Sequence, residues 1–167
     1  MKAVVVTDQA AGIAGVKLVD RPEPRAAIND VVVQIHASGF TGDELTWPST
    51  WTDRVGRDRT PSIPGHELAG VVTALGYGTT GLSIGQRVFG LTDWYRDGTL
   101  AEYVAVEARN LTPLPNRFPA YNINVVLQSA SLSRVDCSRF PLEHHAPVFH
   151  SQRTRRNAWR AKRSSML

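Results

Sequence analysis

Residues 61–74, PSIPGHELAGVVTA, constrain this chain more than any other stretch. Pro61 and Pro64 each fix φ and remove a backbone donor, and Pro64-Gly65 is a favoured turn pair, so the segment opens as a stiff bend. His66 and Glu67 follow at once. Beyond them Leu68, Gly70, Val72 and Ala74 alternate with Ala69, Val71, Thr73 and Leu75, a pattern apolar on both faces that predicts an interior strand. A histidine and a carboxylate held between a stiff turn and a core strand have little freedom, which is what a binding or catalytic site requires.

This stretch lies in the first of two compositionally unlike parts. All 13 glycines precede residue 116. Residues 1–115 carry 10 Lys+Arg against 13 Asp+Glu, a charge of −3, whereas residues 116–167 carry 9 against 2, a charge of +7. The overall +4 hides this asymmetry. The change predicts a folded domain over 1–115 and an atypical basic tail over 116–167, expected to be disordered because of its charge and lack of period. A chain of 167 residues holds one real core, but two full domains would be cramped. No apolar run is long enough to span a bilayer, and the opening MKAVVVTDQAAG reads as a strand rather than a signal peptide. Cys137 is the single cysteine. It excludes an intramolecular disulfide and fits a reducing cytoplasm, the expected location.

Residues 2–7 and 16–19 are short β-branched runs separated by Gly12 and Gly15, which predicts a hairpin-like opening. Residues 31–37 form the clearest half-buried strand, with Val31, Val33, Ile35 and Ala37 on one face and Val32, Gln34 and His36 on the other. His36 reads as an ordinary surface histidine. Residues 38–45 predict a loop entering a short helix, capped by Thr41 or Asp43, with Asp43 and Glu44 complementing its positive end. Residues 47–60 show no sustained period and read as a long surface loop, in which Trp47 and Trp51 either line a substrate pocket or shield the mouth of a barrel. Gly76-Tyr-Gly78 with Gly81 matches G-x-G-x-x-G in letters, but without a following helix or a βαβ unit it does not read as a dinucleotide site. Arg96-Asp97-Gly98 predicts a turn before a strand over 99–106. Six or seven short strands and one short helix give a mainly β class: a small antiparallel barrel followed by the tail.

Several of these segments together carry a family resemblance: Ala37-Ser38-Gly39, then Pro64-Gly65-His66-Glu67 with Gly70 and Val72, then Gly85-Gln86-Arg87-Val88, and Gly98-Thr99-Leu100-Ala101-Glu102-Tyr103. In order and spacing they resemble the N-terminal GroES-like domain of the medium-chain dehydrogenase/reductase superfamily, which includes zinc alcohol dehydrogenases and zinc-free quinone oxidoreductases. The resemblance covers about residues 1–115. It implies a barrel that supplies the substrate site for a carbonyl, alcohol or quinone, with NADP(H) bound by a following Rossmann domain. It places the zinc-branch cysteine on Thr41 and the zinc-branch histidine on His66, with Glu67 as acidic neighbour. A threonine hydroxyl is a poor substitute for a thiolate, so a catalytic zinc is not expected. In a zinc-free reading Thr41 donates a hydrogen bond to the developing oxyanion, while Asp43 or His66 assists proton delivery.

The resemblance ends near Pro115. A phosphate-cradling turn without glycine is physically implausible, so residues 116–167 are not expected to hold a cofactor stably. Their abrupt change of composition is what a frameshifted or truncated gene product would show. His144, His145 and His150 lack partner ligands at a recognised spacing. The clusters around Arg153–Arg156 and Arg160–Arg163, with Trp159 among them, keep open a non-enzymatic alternative in which the tail binds nucleic acid or another acidic partner. No membrane association is expected.

Overall fold

The computed structural model describes residues 1–114 together with the short strand Arg134–Val135. The β-branched opening run becomes β1, Lys2–Val6, which pairs antiparallel with β2, Val16–Asp20, as a two-stranded sheet. The second sheet holds β3 (Asp30–Gly39), β4 (Glu67–Leu75), β5 (Arg87–Leu91), β6 (Tyr103–Glu107) and β7 (Leu111–Pro113) in the order β6-β3-β4-β5-β7. β8, Arg134–Val135, pairs with Ser38 and Gly39 at the far end of β3. All of these pairings are antiparallel.

The mainly β, antiparallel class expected from the sequence is observed, as two sheets rather than a closed barrel. Short bridges join them: Val4 N–H donates to the Leu100 carbonyl at 2.7 Å, and Val6 N–H to that of Ser62 at 2.9 Å. Ala3, Val5, Ile63, Leu100 and Ala101 pack beneath these bridges as a small core of their own. The main core is built on β3 and β4, where Val31, Val33, Ile35, Leu68 and Val72 are buried.

β4 pairs with β3 on one edge and β5 on the other, and Leu68–Gly70 are buried whichever face they point to. Gly70 is required there, because a Cβ would stand 2.0 Å from the Gln34 carbonyl oxygen of β3. β3 is more buried than its alternation suggested: Val32 is 6% exposed, and only Gln34 is open to solvent. β3 pairs on both edges, with β4 and β6, and is buried on both faces along most of its length.

The short helical turn expected after residue 38 is present, capped by Thr41, whereas the loop expected over 47–60 needs correction. Residues 42–46 form a 3₁₀ turn with Thr41 at its N-cap, whereas the short α-helix, α1, is Pro48–Trp51, with proline in its first turn. Residues 47–60 are therefore not simply a surface loop: Ser49, Thr50 and Trp51 are buried. The Thr50 hydroxyl donates to the Glu44 carbonyl at 2.6 Å and the Trp51 indole N–H to that of Leu45 at 2.9 Å. These bonds fold the segment back onto the 3₁₀ turn, a tertiary effect without a periodic signature. Likewise the strand expected over 99–106 is regular only from Tyr103, because Thr99 and Leu100 give their N–H groups to Gly65 and Pro64 instead of to a strand.

Residues 76–86 are the turn region between the antiparallel strands β4 and β5, so the glycine motif there has no βαβ context. Asp30, 2% exposed, accepts two bonds from the Arg96 guanidinium at 3.0 and 2.5 Å, which ties the 93–98 loop to the start of β3. No helix among the described residues is long and apolar enough to cross a membrane. Of the residues expected to form a disordered tail, Arg134–Val135 is strand. Cys137, the three tail histidines, Trp159 and the basic clusters lie outside the described residues.

Candidate functional site

Three strands end together at one edge of the main sheet. β3 finishes at Gly39, β4 starts at Glu67 directly opposite it, and β5 finishes at Leu91, which faces Glu67 from the other side. The ladder runs one step further, since Thr92 N–H donates to the His66 carbonyl at 2.8 Å. His66 is thus fixed by backbone pairing, at the end of the bend formed by Pro61, preceded by a cis peptide, and Pro64.

His66 is 5% exposed. Its Nδ1 lies 2.9 Å from the Thr92 hydroxyl, and its Nε2 is buried without a hydrogen-bond partner among the described residues. Glu44 Oε2 lies 3.9 Å from Nε2. Burial, reinforced by the Arg59 charge and opposed by Asp93, lowers the His66 pKa to about 4, so the ring is neutral at pH 7.

Glu44 is the residue that local sequence reasoning misread. It is 4% exposed, and its carboxylate accepts the Thr41 N–H at 3.0 Å and the Gly65 N–H at 2.9 Å. It therefore staples the 3₁₀ turn to the proline bend. Burial raises its pKa, against the lowering effect of those two backbone donors. Only the capping-box spacing from Thr41 to Glu44 hinted at this, and that spacing accounts for the Thr41 contact but not for Gly65.

Glu67 leans over Gly39, where a Cβ would meet its Oε2 at 2.1 Å, and that oxygen is buried and unpartnered among the described residues. Desolvation raises its pKa. Thr41 is half-buried at the mouth of the turn. Asp43 is exposed, and its side chain makes no hydrogen bond or ion pair among the described residues. The fold thus assembles Thr41, His66 and Glu67 around Glu44 and leaves the Asp43 carboxylate facing solvent.

Aromatic rings flank the histidine. Trp47 stacks on Trp94 with centroids 4.8 Å apart, and the His66 ring lies 6.1 Å from the first and 6.3 Å from the second. Trp94 is half exposed on the loop after β5 and borders an open surface groove of about 740 Å³ that includes Thr92, Tyr95 and Arg109. Of the two readings of Trp47, the structure places it beside the candidate site, while Trp51 packs inward.

The donor set does not suit a zinc ion. Thr41 offers a hydroxyl where a thiolate would serve, and both Glu44 oxygens are engaged by backbone N–H groups. No three His, Cys, Asp or Glu side chains converge among the described residues.

The neutral histidine sets a sign for the pH dependence of stability. A base whose pKa falls from 6.5 unfolded to about 4 folded binds fewer protons when native. Stability is then complete above the unfolded pKa and is lost as pH falls from 6.5 towards 4, by roughly 3 kcal/mol at the low end. Glu44 and Glu67, raised by burial, work in the opposite sense above their ordinary range. Urea unfolding of the wild type and His66→Gln across this range isolates the histidine: the variant should lose most of the acid-side slope. An unchanged slope would show that His66 is not buried neutral.

The fold and site define an antiparallel β-domain with a buried histidine and a half-buried glutamate at the convergent ends of three strands. The alcohol dehydrogenase GroES-like domain family matches residues 27–116, more than half of the chain. The chain belongs to that family. An L-threonine 3-dehydrogenase of Saccharopolyspora erythraea is 37% identical over 91 residues, which cover 54% of this chain and 25% of the relative. An alcohol dehydrogenase superfamily protein from Novosphingobium aromaticivorans is 30% identical with a TM-score of 0.60, over 72% of this chain and 36% of that one. The quinone oxidoreductase of Coxiella burnetii, 21% identical with a TM-score of 0.61 over 71% and 38% of the two chains, shares the fold. The chain spans well under half the length of each.

Proposed function

We propose that residues 1–114 are the substrate-side domain of an NADP(H)-dependent, zinc-independent oxidoreductase acting on a small carbonyl, alcohol or quinone. The supporting observation is the His66–Glu67 pair, the histidine buried and the glutamate half-buried, each with a buried side-chain atom that has no partner among the described residues, where three strands end. Leaving such atoms unsatisfied costs stability, and sites kept for a ligand tolerate that cost. Family membership points to the same reading. In this scheme NADP(H) supplies or accepts the hydride, and the domain orients the substrate oxygen. Thr41, half-buried at the turn, donates a hydrogen bond to the oxygen as charge develops on it; His66 is the candidate group for proton delivery with Glu67 as its acidic neighbour, while Asp43, exposed and apart from the cluster, is the weaker candidate of the two.

The 167-residue polypeptide alone is expected not to turn over, since none of its residues after Gly98 is a glycine that could bring backbone close to a pyrophosphate. Two measurements test the proposal. Titration with 2-cyclohexen-1-one, 1,4-naphthoquinone or benzyl alcohol should shift the amide resonances of His66, Thr92 and Thr41 for at least one of the three; indifference to all of them would sink the substrate-side role. NADPH oxidation in proportion to protein concentration would refute inactivity.

A further inference from the structure

We infer that His66 is a catalytic residue in the neutral form, donating its Nε2–H to the substrate carbonyl oxygen, and that Glu44 and Thr92 are positioning residues, the first fixing this tautomer and the second holding the ring. The inference rests on the proposed substrate-side role and goes beyond it. It gives the histidine the work of an oxyanion donor rather than a proton carrier, and it assigns a task to two residues the sequence had not connected to it.

Three observations carry the tautomer. Two polar groups are placed against the ring nitrogens, the Thr92 hydroxyl at 2.9 Å from Nδ1 and Glu44 Oε2 at 3.9 Å from Nε2, while Arg59 and Asp93 act on the ring with opposite charges. A hydroxyl rotates and either donates or accepts, so the Thr92 contact alone suits both tautomers. A carboxylate has only lone pairs. A bare Nε2 lone pair facing Glu44 is repelled, whereas an Nε2–H is attracted even at that separation, so the proton belongs on Nε2 and Thr92 donates to Nδ1.

The second observation is rigidity. Thr92 and His66 are also joined through their backbones at 2.8 Å, and Glu44 is held by two backbone N–H groups, so neither positioning group is free to swing away. The third is vacancy of function: Nε2 is one of three buried side-chain polar atoms without a partner among the described residues. Glu44 is too distant and too fully engaged to satisfy it. A neutral imidazole N–H in a dry setting, aimed at a developing oxyanion, needs no reorganisation at the moment of reaction. The half-exposed Trp94 indole, its centroid 6.3 Å from that of the imidazole, is the solvent-facing neighbour on this side of the ring.

Imidazole ¹⁵N spectra of the full chain at pH 7 test this directly. Expected are a pyrrole-like Nε2 and a pyridine-like Nδ1 for His66, with saturating 2-cyclohexen-1-one displacing the Nε2 signal together with the Trp94 indole signal. Glu44→Gln, which removes the charge that Nε2–H faces, should shift the tautomer ratio about tenfold towards Nδ1–H. A pyridine-like Nε2 in the wild type overturns the inference, as does a Glu44→Gln ratio that does not change. If the enone moves the tryptophan signals but leaves Nε2 in place, the donor role fails while the substrate-side role stands. If no resonance responds to the enone, naphthoquinone or benzyl alcohol, the substrate-side role itself fails and takes the donor role with it.

Discussion

Glu44→Ala is expected to destabilise the domain by about 2–4 kcal/mol, because it orphans two backbone donors, one of them buried, and removes the tie between turn and bend. The loss should be local as well as global. Hydrogen exchange at the Gly65 and Thr41 amides should accelerate before that of the β3–β4 ladder, since those amides lose their acceptor and the ladder does not. Glu44→Gln should fall between, because one amide oxygen still accepts but the amide nitrogen faces a backbone N–H. Asp43→Ala, one residue away and exposed, should stay within about 0.5 kcal/mol of wild type. Urea midpoints of the four proteins decide the matter, and a Glu44→Ala cost below about 1 kcal/mol would show that the staple contributes only an ordinary hydrogen bond.

Gly98→Ala is the second large effect. A Cβ at this position would lie 2.0 Å from the Gly65 carbonyl oxygen and 2.6 Å from that of Pro64, both backbone atoms of the bend that carries His66. Neither can move without breaking the bonds that Gly98, Thr99 and Leu100 make to Ile63, Gly65 and Pro64. The expected cost is roughly 3 kcal/mol or more, at the upper end for overpacking. The His66 resonances should shift as well, because the strain falls on the bend. Gly42→Ala is the control: nothing lies within 4 Å of its Cβ position, so it should be neutral or slightly stabilising through the unfolded chain. A Gly98→Ala protein as stable as Gly42→Ala would mean that the 98–100 segment does not pack on the bend as described.

These two residues show where local reading succeeds and where it stops. Gly98 was legible as part of an Arg-Asp-Gly turn, but its necessity comes from a backbone 33 residues earlier in the chain. Glu44 and Asp43 look alike in sequence, two acids at the start of a helical turn. The fold separates them completely, one beneath the bend and one in solvent. Trp47 was legible only as an alternative between pocket and shield, since its stacking partner Trp94 is far away in sequence and linked by no period. Thr92 carried no signal at all: a threonine after a short strand is ordinary until register sets it against His66.

The sequence by itself determined the strands and their interior, because side chains alternate with a period of two and β4 is apolar on both faces; it also determined the stiff entry to His66, because proline fixes its own φ wherever it stands. It determined the family as well, through motifs in order along the chain. Only the tertiary structure decided that the sheets do not close into a barrel, that residues 48–51 are a buried helix, and that Glu44 rather than Asp43 faces the histidine. The reason is physical: burial and partnership of a polar group depend on which distant backbone arrives beside it, and no local pattern of residues encodes that arrival.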